Sequence, residues 1–227
     1  MTNLFSMFKI MTFLEKLRCL FTFGQGVALP LPKLDENVEP LVLFTQWFED
    51  ANKSGILLPE SMSVSSCTKE GRPSSRMVLL KEFDDKGFVF YTNYGSRKSI
   101  ELSENSHVAL LFHWNVLQRQ IRIEGTIERT STEQSKQYFH SRDRGSQIGA
   151  HASKQSQKLK HDNELLQRVD YFNGKYSTGK VPLPEFWGGY RVVPTYIEFW
   201  QGRASRLHDR LCFEKKDGKW QHFKLHP

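Results

Sequence analysis

From Pro40 onward apolar side chains recur at helical spacing, at Leu41, Phe44, Trp47, Phe48 and Ala51, behind a proline suited to a first helical position. The spacing predicts a helix of about three turns that stops near Gly55. Beyond it the period drops to two. The segments MSVSSC, SSRMVLLKEF, GFVFYTN, HVALLFHW and RQIRIEGTIE read as strands, broken by turns such as Asp84-Asp85-Lys86-Gly87. In the last of them Ile121, Ile123 and Ile127 face one way and Gln120, Arg122 and Glu124 the other, so one sheet face is buried and Gln120 lies on the wet or ligand-facing side. Ser131 with Gln134 forms a capping box for a helix running to about Arg142, with Gly145 as its stop. Residues 157–181 hold a short amphipathic helix with Leu165, Leu166, Val169 and Phe172, then a loop ending in two prolines. The chain finishes with YRVVPTYIEFW, RLCFEK and KWQHFKL, the last two joined through Asp217-Gly218, a two-residue hairpin turn. Many hairpin-linked strands with a few helices at the periphery predict an α+β fold built on a predominantly antiparallel β-barrel, not a doubly wound sheet.

Composition narrows the field. A chain of 227 residues with 38% hydrophobic content can bury a real core, and its net charge of +7 favours anionic partners: nucleic acid, acidic lipid or phosphorylated small molecules. Cys19, Cys67 and Cys212 form no CxxC pair, which argues against a disulfide scaffold or a structural zinc and for a reducing compartment. No apolar run approaches the roughly 20 residues that span a bilayer. The opening NLFSMFKIMTFLEKLRCLFTF is apolar and basic with a single acid, Glu15, and reads either as a terminal arm or as a mitochondrial presequence. Phosphate-loop, HExxH and GxSxG motifs are missing, and the eight histidines lack metal-ligand spacing.

Cations beside strands remain. Arg76 and Lys81 flank the apolar MVLL; five residues apart, they fall on opposite faces of an unbroken strand and would serve two different anions. Ser96-Arg97-Lys98 follows a strand and opens a helix, whose free N–H groups and positive dipole end suit a dianionic phosphate, although a solvated surface helix would look the same. Tyr138 and Arg142, four apart, share a helix face and can offer a hydroxyl and a guanidinium to one anion, with Ser146 just beyond. The segment IEFWQGRASRLHDR crowds Arg203, Arg206, Arg210 and His208 behind Trp200. As plain structure, Ile197 and Phe199 would pack a core while the arginines project into water.

That segment resembles the C-terminal motif of the pyridoxamine/pyridoxine 5'-phosphate oxidases. SSRMVLLKEFD, FYTNYGSRK, LQRQIRIEG, YFHSRDRGSQIGAHASKQS and WGGYRVVP are similar to the same family in the same order, so the likeness covers most of residues 40–227. The resemblance implies an FMN-binding split β-barrel, working as a homodimer with flavin at the subunit interface. It also implies oxidation of pyridoxamine and pyridoxine 5'-phosphate to pyridoxal 5'-phosphate, with O2 as acceptor and H2O2 released. The FMN phosphate would be held by Arg76, Arg97 and Lys98 with Ser156. Met77, Val78, Leu79, Leu80, Lys81, Tyr91, Thr92, Gln120, Gln155, Trp200 and Arg210 would line the rest of the cofactor. Lys81, Tyr138, Arg142 and Ser146 would take the substrate phosphate, and Arg206, Leu207 and His208 its ring, with Arg206 and His208 catalytic.

On this reading the domain spans 36–227 behind an arm at 1–35, the protein is cytoplasmic, with the mitochondrion as the alternative, and neither metal, nucleic acid nor membrane is a partner. Arg203 and the basic residues of 158–180 are expected to be ordinary solvated charge. Two departures stand out: the arm lacks the Arg and Tyr that family members usually carry there, and Lys224 replaces the arginine of the usual Arg-Leu-x-Pro ending. A non-catalytic flavin barrel would lack the pairing of Arg206 with His208. An RNA-binding barrel would interleave aromatics with arginine on an exposed sheet face.

Overall fold

The structure, a computed structural model, describes Leu31 and residues 38–227, so the expected arm at 1–35 lies, Leu31 apart, outside the described residues. Two compact units make up the chain: one from residues up to Met62 with Leu110–Ile123 and Thr195–Pro227, the other from Ser63–Ala109 with Glu124–Pro194. Hydrogen bonding orders the strands β2-β1-β5-β6-β7-β4-β3, with β8 added to β7 and β9 to β8. These are β1 (Ser61–Cys67), β2 (Pro73–Leu79), β3 (Glu82–Asp84), β4 (Gly87–Asn93), β5 (His107–Trp114), β6 (Arg119–Arg129), β7 (Trp187–Gln201), β8 (Asp209–Lys216) and β9 (Lys219–Lys224).

In the first unit, α1 (Pro40–Lys53) begins with the predicted proline and gives way to Gly55 at a φ of 78°, where only glycine is unstrained. Its buried stripe of Leu43, Phe44, Trp47, Phe48 and Ala51 meets aromatic side chains from the strands. Phe44 lies edge-on to Phe112 with ring centres 5.4 Å apart, Trp47 to Phe199 at 5.2 Å and Phe199 to Phe213 at 5.8 Å. Such pairs add about 0.5–1.5 kcal/mol each beyond their buried area. One charge sits among them: Arg119, buried, donates to Gln201 Oε1 at 2.9 Å and to Asp50 Oδ2 at 2.7 Å, with its guanidinium 4.4 Å from the Trp47 ring centre. The β8–β9 hairpin turns at Asp217 and Gly218, both with positive φ, between the paired Lys216 and Lys219, as the sequence predicts.

In the second unit β4 pairs antiparallel with Trp187–Val192 of β7. The later part of that strand, Tyr196–Gln201, pairs with β8 instead. Between the two stretches stands Pro194, which has no N–H to give to a ladder.

Two expectations about local structure need correction. SSRMVLLKEF is not one strand but two, β2 and β3, interrupted at Leu80-Lys81, where Leu80 drops into the core and the Lys81 N–H donates to Val89 O at 2.8 Å. The second is the stop: α3 (Thr132–Ser141) is capped by Ser131 and reaches extended Arg142 as expected, but Gly145 does not end it. Asp143 starts a new helix, α4 (Arg144–Ala152), by accepting the Ser146 N–H on its carboxylate at 2.8 Å, so Gly145 lies inside that helix. Two further helices complete the set among the described residues, α2 (Arg97–Glu104) and α5 (Glu164–Lys175). In α5, Val169 and Phe172 pack against a cluster formed by Phe139, Ile148, Val181 and Trp187, whereas Leu165 and Leu166 stay exposed.

Candidate active site

A cavity of about 810 Å³ opens within the second unit. Strand β2 contributes Arg76, Met77, Val78 and Leu79 to its wall, β4 contributes Tyr91, Thr92 and Asn93, and α2 contributes Arg97 and Lys98. Tyr138, Arg142, Ser146, Gln155 and Ser156 come from α3, α4 and the segments around them, and Trp187 from the start of β7. Lys81 lines the same cavity as Arg76. The two cations do not fall on opposite faces as expected, because the strand is broken between them. Leu80 is buried in the core and is not part of the wall.

At one corner the chain gathers three cations. Asn93 Oδ1 accepts the Gly95 N–H at 2.7 Å, tightening the turn that leads β4 into α2. Arg97 and Lys98 then occupy the first helical positions. Lys98 is buried, and its ammonium donates to Thr92 Oγ1 and Gln155 Oε1 at 2.9 Å and to Ser96 Oγ at 3.0 Å. Burial, and secondarily the charge of Arg76, bring its pKa down to about 8. Arg97 donates through Nε to Glu101 Oε1 at 2.8 Å, and Arg76 reaches Oε2 of the same carboxylate at 3.4 Å. The other half of the wall is aromatic. Tyr91 stacks on Tyr138 with ring centres 3.9 Å apart and on Trp187 at 5.6 Å, with planes within 15°. The Arg142 guanidinium lies 4.8 Å from the Trp187 ring centre, and its buried Nη1 has no hydrogen-bond partner among the described residues. Although Arg142 lies beyond α3 and not on its face, it reaches the same cavity as Tyr138. Burial pushes the Tyr138 phenol up to about 12, and burial with the hydrogen bond to Glu82 Oε1, 2.8 Å away, raises Tyr91. Both remain donors at neutral pH.

The remaining predicted residues belong to the first unit. Trp200 faces the His208 ring at 4.5 Å, and Gln120 is half-buried on β6. Ser205 and Arg206 both adopt left-handed backbone, with φ of 56° and 61°, which leaves Arg206 and Leu207 exposed. His208 Nδ1 accepts the Arg203 N–H at 3.1 Å, so the neutral ring carries its proton on Nε2. Arg210 grips buried Glu198 with two bonds, 2.7 and 3.0 Å. Arg203, expected to be solvated, is paired with Asp209 at 2.6 Å, because the tight loop folds its side chain back on the next strand. Arg168 likewise departs from solvated charge, donating to Ala152 O at 2.6 Å at the end of α4. Sequence reasoning passed over the acids: Glu82, Glu101 and Glu198 each hold a candidate residue. Only Glu101 left a local sign, four positions after Arg97.

The family model described as "Pyridoxamine 5'-phosphate oxidase" matches residues 48–175, more than half of the chain. This chain belongs to the pyridoxamine 5'-phosphate oxidase family. A second model, "Pyridoxine 5'-phosphate oxidase C-terminal dimerisation region", matches residues 187–227 of this oxidase-family chain. Among curated relatives, the pyridoxine/pyridoxamine 5'-phosphate oxidase of Colwellia psychrerythraea is 70% identical over 217 residues, covering 96% of this chain and all of the relative. That of Psychromonas ingrahamii is 58% identical with the same coverage. Among solved structures, PhzG from Burkholderia lata in complex with tetrahydrophenazine-1-carboxylic acid superposes with a TM-score of 0.84 at 28% identity, over 89% of this chain and all of that one. A pyridoxamine 5'-phosphate oxidase-related, FMN binding protein from Nostoc punctiforme shares the fold, with a TM-score of 0.68 at 12% identity over 84% of this chain and all of that one. The fold is the split barrel of this oxidase family, in line with the hairpin-rich α+β reading.

Proposed function

We propose that this chain oxidises pyridoxamine 5'-phosphate and pyridoxine 5'-phosphate to pyridoxal 5'-phosphate, using FMN as cofactor and O2 as acceptor, with release of H2O2. The observation that carries the proposal is one cavity lined by two sets of cations, Arg76 and Arg97 held by Glu101 with Lys98 near them, and Arg142 beside Tyr138 and Trp187. Relatives 70% and 58% identical that are named for this activity support it.

The residues fit a flavin mononucleotide. A phosphate monoester dianion needs clustered donors of positive charge, which Arg76, Arg97, Lys98 and the α2 N-terminus supply. Gln155 and Ser156 stand beside them, and Met77 to Leu79 offer an apolar edge to a ring. Bound FMN would accept a hydride from the substrate carbon bearing the amine or alcohol and pass the electrons to O2. The protein's own work is placement. Arg142, with a buried N–H unsatisfied, and the protonated phenol of Tyr138 would fix the substrate phosphate, with Lys81 and Ser146 beside them. Holding both partners in reacting geometry accounts for about 7–11 kcal/mol of barrier in favourable cases.

Arg206 and His208 are assigned to the substrate ring. With Nδ1 engaged by a backbone N–H, His208 presents Nε2–H as a donor. Gln120, Trp200, Leu207 and Arg210 belong to the same assignment. A homodimer is part of it, supported by the dimerisation-region match over 187–227. So is a cytoplasmic location, in keeping with the bacterial relatives and contradicted if cell fractionation recovers the activity with mitochondria.

Purified chain should be yellow and should release peroxide with each phosphorylated vitamer. Arg206→Ala should lose about a hundredfold in turnover while FMN affinity stays within about twofold. A colourless protein that consumes no oxygen with either vitamer would overturn the reading.

A further inference from the structure

The cation corner contains an acid that no phosphate-binding scheme requires. Glu101 lies on α2 with 3% of its surface exposed, and its carboxylate collects four donors. Oε1 takes Arg97 Nε at 2.8 Å. Oε2 takes the Ser66 hydroxyl at 2.6 Å, the Ser74 hydroxyl at 2.5 Å and Arg76 Nη2 at 3.4 Å. Ser66 and Ser74 in turn receive Arg76 through its Nη1 and Nη2. Burial pushes the carboxyl upward, but the bonds from Ser66, Ser74 and Arg97 and the Arg97 charge outweigh it and hold it ionised, at about 2.

We infer that Glu101 is the positioning residue of the anion corner: its carboxylate holds the Arg76 and Arg97 guanidiniums in the converging pose that a phosphate monoester fits. The inference rests on the proposed flavin reading and deepens it. Three considerations carry it. Arg97 has a side chain 64% exposed, and such a chain keeps one pose only where something holds it. Glu101 takes its Nε and leaves both terminal nitrogens to face a ligand. Second, Arg76 and Lys98 repel one another across the corner, so a resident negative charge is what allows three cations to gather before any ligand arrives. Third, three cations less one carboxylate leave two positive charges, which balance the two negative charges of a monoester dianion.

A carboxylate near a phosphate also repels it. Glu101 escapes most of that penalty because its charge is already spent on four donors, two of them the arginines themselves.

The test titrates the full chain, stripped of flavin, with FMN and with riboflavin, which lacks the phosphate, following flavin fluorescence. Wild type should prefer FMN strongly. In Glu101→Gln the FMN dissociation constant should rise at least about tenfold, the scale set by freeing two long side chains, while that for riboflavin changes less than about twofold. Glu101→Asp, which keeps the charge but shortens the reach, should fall between the two and serves if the glutamine variant does not fold. Unchanged or tighter FMN binding by the variants would overturn the inference, as would an equal loss for both flavins, which would mark Glu101 as a fold residue only. Wild type that binds neither flavin would instead overturn the flavin reading itself.

Discussion

Lys98 shows how a single residue ties burial to ligand choice. Its ammonium, ordinarily at 10.5, sits at about 8 in the folded chain because it is buried and faces Arg76. Between those values the unfolded chain holds a proton that the folded chain has lost. The burial of Lys98 therefore costs stability below about pH 8, and the cost fades as pH rises toward the unfolded value. Anion binding runs the other way. A monoester stays dianionic above about pH 7 and needs the charged lysine, so FMN affinity should fall as pH passes about 8, by up to tenfold per unit. Titrations of flavin-free chain from about pH 7 to 10 check this, and Lys98→Met should weaken binding and flatten the slope. The residue type and its place at a helix start were legible in the sequence; the burial was not, since it depends on Thr92 and on Gln155, 57 positions away.

Among the elements, α4 is the one the sequence concealed. Gly145 looked like a stop because glycine commonly ends helices, yet Asp143, two residues earlier, caps a fresh start and turns the chain so that Ser146, Gly149 and Ala150 line the cavity. The competing signal, Asp followed three residues later by Ser, was present but weaker than a glycine. Asp143→Ala should cost about 1 kcal/mol in urea unfolding, and Asp143→Asn, which keeps an acceptor, should recover most of it. The strands were easier to read. In β5 the burial alternates as a strand requires, with Val108, Leu110, Phe112 and Trp114 inward and His107, Leu111 and His113 exposed, whereas the break at Leu80-Lys81 carries no glycine or proline to announce it.

For the molecule as a whole, the net charge of +7 finds much of its use in one cavity, where Arg76, Lys81, Arg97, Lys98 and Arg142 converge. Nucleic acid is not needed to account for it. The dimer assigned from the match over 187–227 predicts sedimentation at twice the mass of one chain, independent of concentration in the micromolar range; a single-chain mass there would contradict it.

Trp187 adds a practical consequence. Its indole forms part of the cavity wall, in line with two tyrosine rings and under a guanidinium. An oxidised isoalloxazine absorbs where indole emits, so occupation of the cavity should dim the protein's own ultraviolet glow, and loading can be followed without attaching any dye.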